Sequence, residues 1–363
     1  MNILHTECGL NWGGQEYRTL LEHLYLNANG HQSWLMCQPK SKLYQKALEA
    51  QAPNIVPINL TKAWRVDVAI SIYRFCRRNV INIINTHGSR DSTLSIPCML
   101  LGIPLVRNRQ IINPVKKASS YQRLCTHVIA SAGEIKRSML AAGVSDEKIT
   151  VIGEGIDLVE FNPQVNFDYL RQEFNLGIDD RVIVNIGMIR PDKGQRYYLE
   201  AANLLLKSHP ELKFFLIGES GDDKQLEHEL RTKIKDYGIE DNFIMTGYRQ
   251  DIPEFMNLAD LVVISSLAEA QSRIVPQAFA LGKTVVATNI GGLPELVQNG
   301  KNGLLVPAEN AQAMAEAIAL IIDDSKLKRE LEQNAYQFAQ THLSFQTMMD
   351  CILETYARFT KAG

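Results

Sequence analysis

Four groups of residues in this 363-residue chain combine types and spacings that can do chemistry. The first is Arg190 and Lys193, two cations three residues apart between Gly187 and Gly194, where an apolar run ends and a helix-forming stretch begins. A forked guanidinium beside a compact ammonium suits a diphosphate that gains negative charge as it leaves. The second is Glu269 and Gln277, eight residues apart across a loop and the first turns of a helix. A carboxylate and an amide so placed can each grip vicinal hydroxyls, while the backbone N–H groups of Gln271, Ser272, Arg273 and Ile274 face a ligand at the helix N-terminus. The third is Gly13-Gly14, a pair that opens a helix after the first strand and lets backbone N–H groups approach an anion or a sugar closely. The fourth is His87, directly after an apolar run in Asn85-Thr86-His87-Gly88-Ser89. Taken singly, each group has a plainer reading: solvated surface cations, a helix cap at Glu269 with a solvent-facing Gln277, a tight turn, and a structural histidine.

The elements that must position these groups are those of parallel sheets covered by helices. Strands are expected near Asn2–His5, Ser33–Cys37, Ile81–Asn85, Leu105–Arg107, His127–Ala130 and Thr150–Ile152. A second set follows near Val182–Gly187, Phe214–Gly218, Phe243–Thr246, Leu261–Ser265, Val285–Thr288 and Gly303–Val306, with helices such as Gln195–Ser208 and Asp222–Tyr237 between them. In doubly wound sheets ligands bind beyond the carboxyl ends of strands, which is where all four groups fall. The stretch from Gly155 to about Asp180 is polar, carries Pro163 and lacks periodicity, and it marks the domain junction. The expected division is an N-terminal domain over 1–170, a C-terminal domain over 171–343 and a closing helix over 344–363.

Composition narrows the function classes. An apolar share of 45 % and a charged share of 21 % are those of a globular protein and exclude a fibre or a largely disordered chain. Six cysteines without any CxxC pair read as reduced thiols in a cytoplasmic protein and suggest no zinc site. The N-terminus opens directly into structure, and no apolar run approaches a membrane span, so neither a signal peptide nor a spanning helix is expected. The loop at Gly13-Gly14 is not GxGxxG and has no acidic ribose partner downstream, which weighs against a dinucleotide-dependent dehydrogenase. A net charge of −2 argues against a dedicated nucleic-acid binder. The charge is nonetheless uneven, because 13 basic and three acidic residues lie between Lys62 and Arg137. Arg107, Arg109, Lys116 and Lys117 in that stretch are candidates to meet an anionic membrane surface or a phosphorylated acceptor, against the alternative of an ordinary solvated face.

The ordered set of the Gly-Gly loop, Val151-Ile152-Gly153-Glu154-Gly155-Ile156-Asp157, Gly187 to Gly194, Gly247 to Asp251, Ala259-Asp260, Glu269 to Gln277 and Asn289-Ile290-Gly291-Gly292-Leu293-Pro294-Glu295 resembles the retaining glycosyltransferases of family 4 over nearly the whole chain. The resemblance implies the GT-B fold, in which two Rossmann-like α/β domains with doubly wound parallel sheets face each other across a cleft. It also implies a UDP- or GDP-sugar donor on the C-terminal domain, a saccharide or lipid-linked acceptor on the N-terminal one, and no metal or other cofactor. Position by position, Arg190 and Lys193 match the site of the donor diphosphate, and Gly13, Gly14, Gly187 and Gly218 match the glycines near it. Met188 stands where the family usually has an arginine. Glu269 matches the first glutamate of the Glu-x7-Glu motif, on the donor sugar, with Gln271 to Ile274 completing that contact. Gln277 replaces the second glutamate, on the ribose; Tyr248 and Arg249 match the surroundings of the base; and His87 matches a histidine beside the donor sugar. The expected setting is lipopolysaccharide or polysaccharide assembly at the inner face of a bacterial cytoplasmic membrane.

Overall fold

Runs rich in Val, Ile and Leu, too short for helices and separated by amphipathic stretches, pair into two wholly parallel sheets buried on both faces. The computed structural model describes residues 1–360 apart from Ile112, Lys116, Asp222, Ala270 and Gln271. The chain divides into two compact units, the first comprising Met1–Glu154 together with the segment from Met348 onward, the second Gly155–Thr347. The second unit thus begins earlier than residue 171. The amide of Ile156 donates to Leu343 at 2.8 Å, and Phe161 and Leu170 are buried in that unit's core.

In the first unit β1 (Asn2–Glu7), β2 (Gln32–Cys37), β3 (Ile55–Pro57), β4 (Ile83–Thr86), β5 (Leu105–Arg109), β6 (His127–Ala130) and β7 (Ile149–Val151) lie in the order β3-β2-β1-β4-β5-β6-β7. β3 is an addition to the expected set: it is three residues long, closes on Pro57 and forms the sheet edge, where a proline is tolerated. β4 begins at Ile83 rather than Ile81. Chain order reverses between β1 and β4, so the segments leaving these two strands diverge and leave a crevice at their carboxyl ends. The helix Phe345–Ala357 belongs in its larger part to this unit, where Tyr356 is fully buried.

In the second unit β8 (Arg181–Ile186), β9 (Leu212–Ile217), β10 (Phe243–Gly247), β11 (Leu261–Ile264), β12 (Val285–Thr288) and β13 (Gly303–Val306) form the sheet β10-β9-β8-β11-β12-β13. The reversal here lies between β8 and β11. Helices Gln195–Leu205 and Gln225–Tyr237 cover one face with Tyr198, Leu199, Leu230 and Ile234; Phe255, Val275 and Phe279 fill the other. Burying a side chain of this size contributes roughly 1.5–3 kcal/mol, which fixes the strand ends that carry the site.

Candidate active site

At the second unit's reversal point, the segment after β8 and the segment after β11 lock together. Leu267 donates its amide to the Asp192 carbonyl at 2.7 Å, and Ser265 Oγ donates to the Lys193 carbonyl at 2.8 Å. Two glycines make this possible. Gly194 has φ +64°, and a Cβ there would lie 2.0 Å from the Ser265 oxygen. Gly291 has φ +53°, and a Cβ there would lie 1.9 Å from the Glu269 oxygen. No other residue adopts these backbones at such separations without displacement.

The result brings Lys193 Nζ to 2.7 Å from Glu269 Oε2, to which Ser266 Oγ also donates at 3.2 Å. A cation and an acid that are 76 residues apart in sequence are therefore one partly buried pair. Arg190 is half-exposed and forks onto its own neighbour Asp192 at 2.9 and 2.5 Å, an arrangement that holds the Asp192 carboxyl below its usual range. Met188 is exposed, and its carbonyl accepts from Gln195 Nε2 at 3.0 Å. Ser272 is buried and accepts from the Val275 amide at 3.3 Å, capping the helix Ile274–Ala280 on which Gln277 is buried. Arg273 faces Glu160, whose carboxyl is raised chiefly by burial and next by Asp157. Gly187 and Gly218 directly follow β8 and β9, with the Gly218 amide donating to the Gly247 carbonyl at 2.9 Å.

The two residues expected near a base diverge. Tyr248 is exposed, whereas Arg249 is engaged by Glu173 at 2.6 Å and Asp251 at 2.7 Å and lies over Phe255. Its guanidinium ties the segment after β10 to the start of the unit. Gln271 and Lys116 lie outside the described residues.

In the first unit Gly13 is the extended cap of the helix Gly14–Ala28, which leaves β1. Sequence reasoning missed the carboxylates around it. Glu7 accepts from the Gly9 amide at 2.7 Å and from Gln15 Nε2 at 2.5 Å, and burial, then the charge of Asp91, raises its pKa to about 8. Asp91 accepts from the amides of His87 and Gly88, both at 3.1 Å, and from Thr6 Oγ1 at 2.9 Å, which fixes the turn that carries His87. The spacing of Asp91 after the Gly88 cap was the available signal.

His87 is buried, and both its ring nitrogens meet protein groups. Nδ1 lies 3.1 Å from Thr19 Oγ1 and 3.3 Å from Asn108 Nδ2; Nε2 lies 3.2 Å from His5 Nδ1. Asn108 Nδ2 donates to Asn85 Oδ1 at 3.1 Å, and Asn85 Nδ2 donates to Tyr356 Oη at 2.5 Å. Burial holds His87 well below 6.5 and His5 at about 3, so both imidazoles are neutral. His87 is thus a fixed hydrogen-bonding group and not a charged one. Behind His5 lies Glu22, paired with the buried Arg18 at 2.7 Å. His5, Glu22 and His87 are the one group among the described residues whose ligand atoms lie close enough together for a metal ion, within 4.8 Å. Arg18 already balances Glu22 there.

Known proteins resemble the chain in both halves. Residues 12–160 match the model of Glycosyltransferase Family 4, and residues 166–338 match that of Glycosyl transferases group 1. A UDP-Gal:alpha-D-GlcNAc-diphosphoundecaprenol alpha-1,3-galactosyltransferase of Escherichia coli is 26 % identical over 71 % of this chain and 70 % of its own length. The lipopolysaccharide core biosynthesis mannosyltransferase LpsB of Rhizobium meliloti is 30 % identical, over 54 % of this chain and 55 % of its own, so that match spans about half of either protein. Among solved structures, Anabaena Alr3699/HepE in complex with UDP superposes with a TM-score of 0.86 at 22 % identity, over 99 % of this chain and all of that one. The latter likeness carries the fold: two Rossmann-like domains, as in GT-B.

Proposed function

We propose that this chain, which belongs to the GT-B-fold glycosyltransferases and is related to those of bacterial lipopolysaccharide and polysaccharide assembly, is a retaining, metal-independent enzyme. It moves a sugar from a nucleoside diphosphate onto a saccharide or lipid-linked acceptor. The observation that carries this reading is the Lys193–Glu269 pair at adjoining strand ends. A nucleotide-sugar presents a diphosphate and, one bond away, a ring of hydroxyls, and an ammonium beside a carboxylate meets both. The UDP in the Anabaena structure and the UDP-Gal in the name of the Escherichia coli relative favour uracil as the base.

In this mechanism Lys193 and Arg190 offset the charge that grows on the departing diphosphate, the work a metal ion does elsewhere. Glu269 accepts hydrogen bonds from the sugar hydroxyls, and Gln277 holds the ribose with an uncharged amide. The acceptor oxygen bonds to the anomeric carbon on the face that the diphosphate leaves, and a diphosphate oxygen takes the acceptor proton. No protein nucleophile is needed, and stabilisation is differential because the diphosphate charge is largest in the transition state. His87, neutral and fixed by Asn108, is the hydrogen-bonding group that the resemblance implies beside the donor sugar. The basic stretch between Lys62 and Arg137 docks the enzyme on the inner face of the cytoplasmic membrane.

The test is a panel of nucleoside diphosphate-sugars. Donor binding raises the unfolding midpoint by mass action, and turnover with a polysaccharide-precursor acceptor in excess chelator, with the product's anomeric configuration read by NMR, checks the rest. An epimerised sugar from donor alone replaces this reading with a nucleotide-sugar 2-epimerase. Binding without turnover on any acceptor replaces it with a sugar-nucleotide-binding protein, for which Met188 and Gln277 are the departures to examine.

A further inference from the structure

The first unit buries two cations without an acid. Arg107 and Arg109 point to one face of β5, two residues apart, and are 9 % and 8 % exposed. Arg107 lies over Tyr121, its guanidinium carbon 4.1 Å from the ring centre, with Arg109 at 5.6 Å. Arg109 donates to Tyr121 Oη at 2.8 Å and to the Asn113 carbonyl, and its Nε has no partner. Among the described residues neither arginine has a carboxylate within 4.0 Å. Lys148 adds a third cation, 2.7 Å from the Gln122 carbonyl and 2.9 Å from that of Cys125. Other cations of the same stretch are more open to solvent, and three of these have acidic partners: Arg65 with Asp67, Lys136 with Asp146, Arg137 with Glu134.

Burying these two arginines without an acid runs against what solvation demands. An exposed cation needs no partner, whereas a buried one without a counter-charge is strongly destabilising. The counter-charge missing from the chain belongs on a ligand. Guanidinium forks held by a ring face and a hydroxyl select an oxyanion of tetrahedral or planar shape. The position is also specific. β5 pairs with β4 so that Arg107 stands opposite Thr86, next to His87, at the carboxyl edge of the sheet. Asn108 turns to the other face and reaches His87, so the arginines form a separate subsite at the same strand end.

We propose that Arg107 and Arg109 bind a phosphate or diphosphate group of the acceptor. The word acceptor rests on the glycosyl-transfer reading; the anion site does not. The donor diphosphate has its own cations, Lys193 and Arg190, in the second unit. Two sources share this chemistry, a lipid diphosphate and a phosphorylated sugar.

The experiment is calorimetric titration of the full chain with inorganic pyrophosphate, farnesyl diphosphate and glucose 1-phosphate, on wild type, Arg107→Met, Arg107→Lys and Lys193→Ala. The expected result is that at least one probe binds wild type and Lys193→Ala alike, and binds Arg107→Met at least about tenfold more weakly, with Arg107→Lys between them. Preference for farnesyl diphosphate or for glucose 1-phosphate identifies the source. In phosphate-free buffer the unfolding midpoint of Arg107→Met should hold or rise, since an uncompensated buried charge has gone. Equal binding by Arg107→Met, binding lost only in Lys193→Ala, no binding of any probe, or a midpoint lowered by several degrees would each overturn the proposal. Titration with UDP and GDP runs separately: its failure counts against the donor assignment and leaves the arginine result intact.

Discussion

Lys193 Nζ donates to Glu269 Oε2 at 2.7 Å, so the cation proposed for the donor diphosphate and the acid proposed for the donor sugar are one ion pair in the structure. On the proposed reaction, donor binding replaces this bond with one to phosphate and one to hydroxyl. Glu269→Ala should lower turnover at least tenfold, since a charge-assisted bond is worth about 1.5–3 kcal/mol. It should not lower affinity for the free nucleoside diphosphate, because Lys193 is then unencumbered. Lys193→Ala should lower both. A double-mutant cycle should give a coupling of about 0.5–3 kcal/mol. Additive effects, or a Glu269→Ala enzyme of unchanged rate, would show that the pair has no part in the reaction.

Gln277 carries a different expectation. It is buried on the helix Ile274–Ala280 and is assigned to the ribose, which free nucleotide and intact donor share. Gln277→Ala should weaken both equally and raise KM with little change in kcat. Gln277→Glu should keep the fold and part of the activity. Damage confined to kcat would move Gln277 to the sugar and reverse the two assignments.

How much of this is legible in the sequence follows from how far each contact reaches. The strands of both sheets stand out because buried parallel strands are nearly continuous apolar runs, and Lys193 and Glu269 stand out because their types are right at strand ends. β3 escapes notice because three edge residues closing on Pro57 carry no period. Arg249 is legible as a cation beside the proposed base site but not as a partner of Glu173, which is 76 residues away. The contact between Asn85 and Tyr356 spans 271 residues; only the return of the final helix to the first unit creates it. Arg107 and Arg109 read as two members of a basic stretch, and only burial without a counter-charge sets them apart.

On the proposed role of His87, the chain from Tyr356 through Asn85 and Asn108 to His87 makes Tyr356 a positioning residue. Tyr356→Phe removes only the hydroxyl that accepts from Asn85. The expected outcome is a fall of several-fold in kcat, a larger fall in Asn108→Ala, and no change in nucleoside diphosphate affinity. Stability alone would be a different result: a lowered unfolding midpoint with kcat intact would make the network purely structural.

Stability should depend on pH with a maximum near 6.5. Burial holds His5 at about 3 and His23 at about 4, and it holds His87 well below its usual value. The unfolded chain takes up these protons below about pH 6.5 and the folded chain does not, so stability is lost as pH falls, by about 1.4 kcal/mol per pH unit for each histidine. Glu7, raised to about 8, acts in the opposite sense. Its contribution is full below its unfolded value near 4.5 and is lost as pH rises through 8. Thermal unfolding across pH 4–9 should therefore fall on both sides, and Glu7→Gln should flatten the alkaline arm and steepen the acid arm above pH 4.5. A profile flat between pH 6.5 and 5 would contradict the neutral buried histidines.

The proposed membrane docking is tested on the helix Val66–Arg78. Trp64, just before it, is 72 % exposed with Lys62 Nζ 5.1 Å above its ring. Val66 and Ile70, one turn apart, are exposed on the helix, and Arg77 and Arg78 end it. An indole and two aliphatic side chains beside cations suit an interface where lipid headgroups meet acyl chains. Each basic residue near an anionic leaflet adds about 1 kcal/mol, screened over about 10 Å at 0.1 M salt and 3 Å at 1 M. Co-sedimentation with vesicles containing phosphatidylglycerol should therefore weaken steeply as salt rises. Reversal of Arg77 and Arg78 to Glu should weaken it at least tenfold, and Trp64→Ala should remove the part that survives high salt. Binding that ignores salt and both substitutions would place the docking surface elsewhere on the chain.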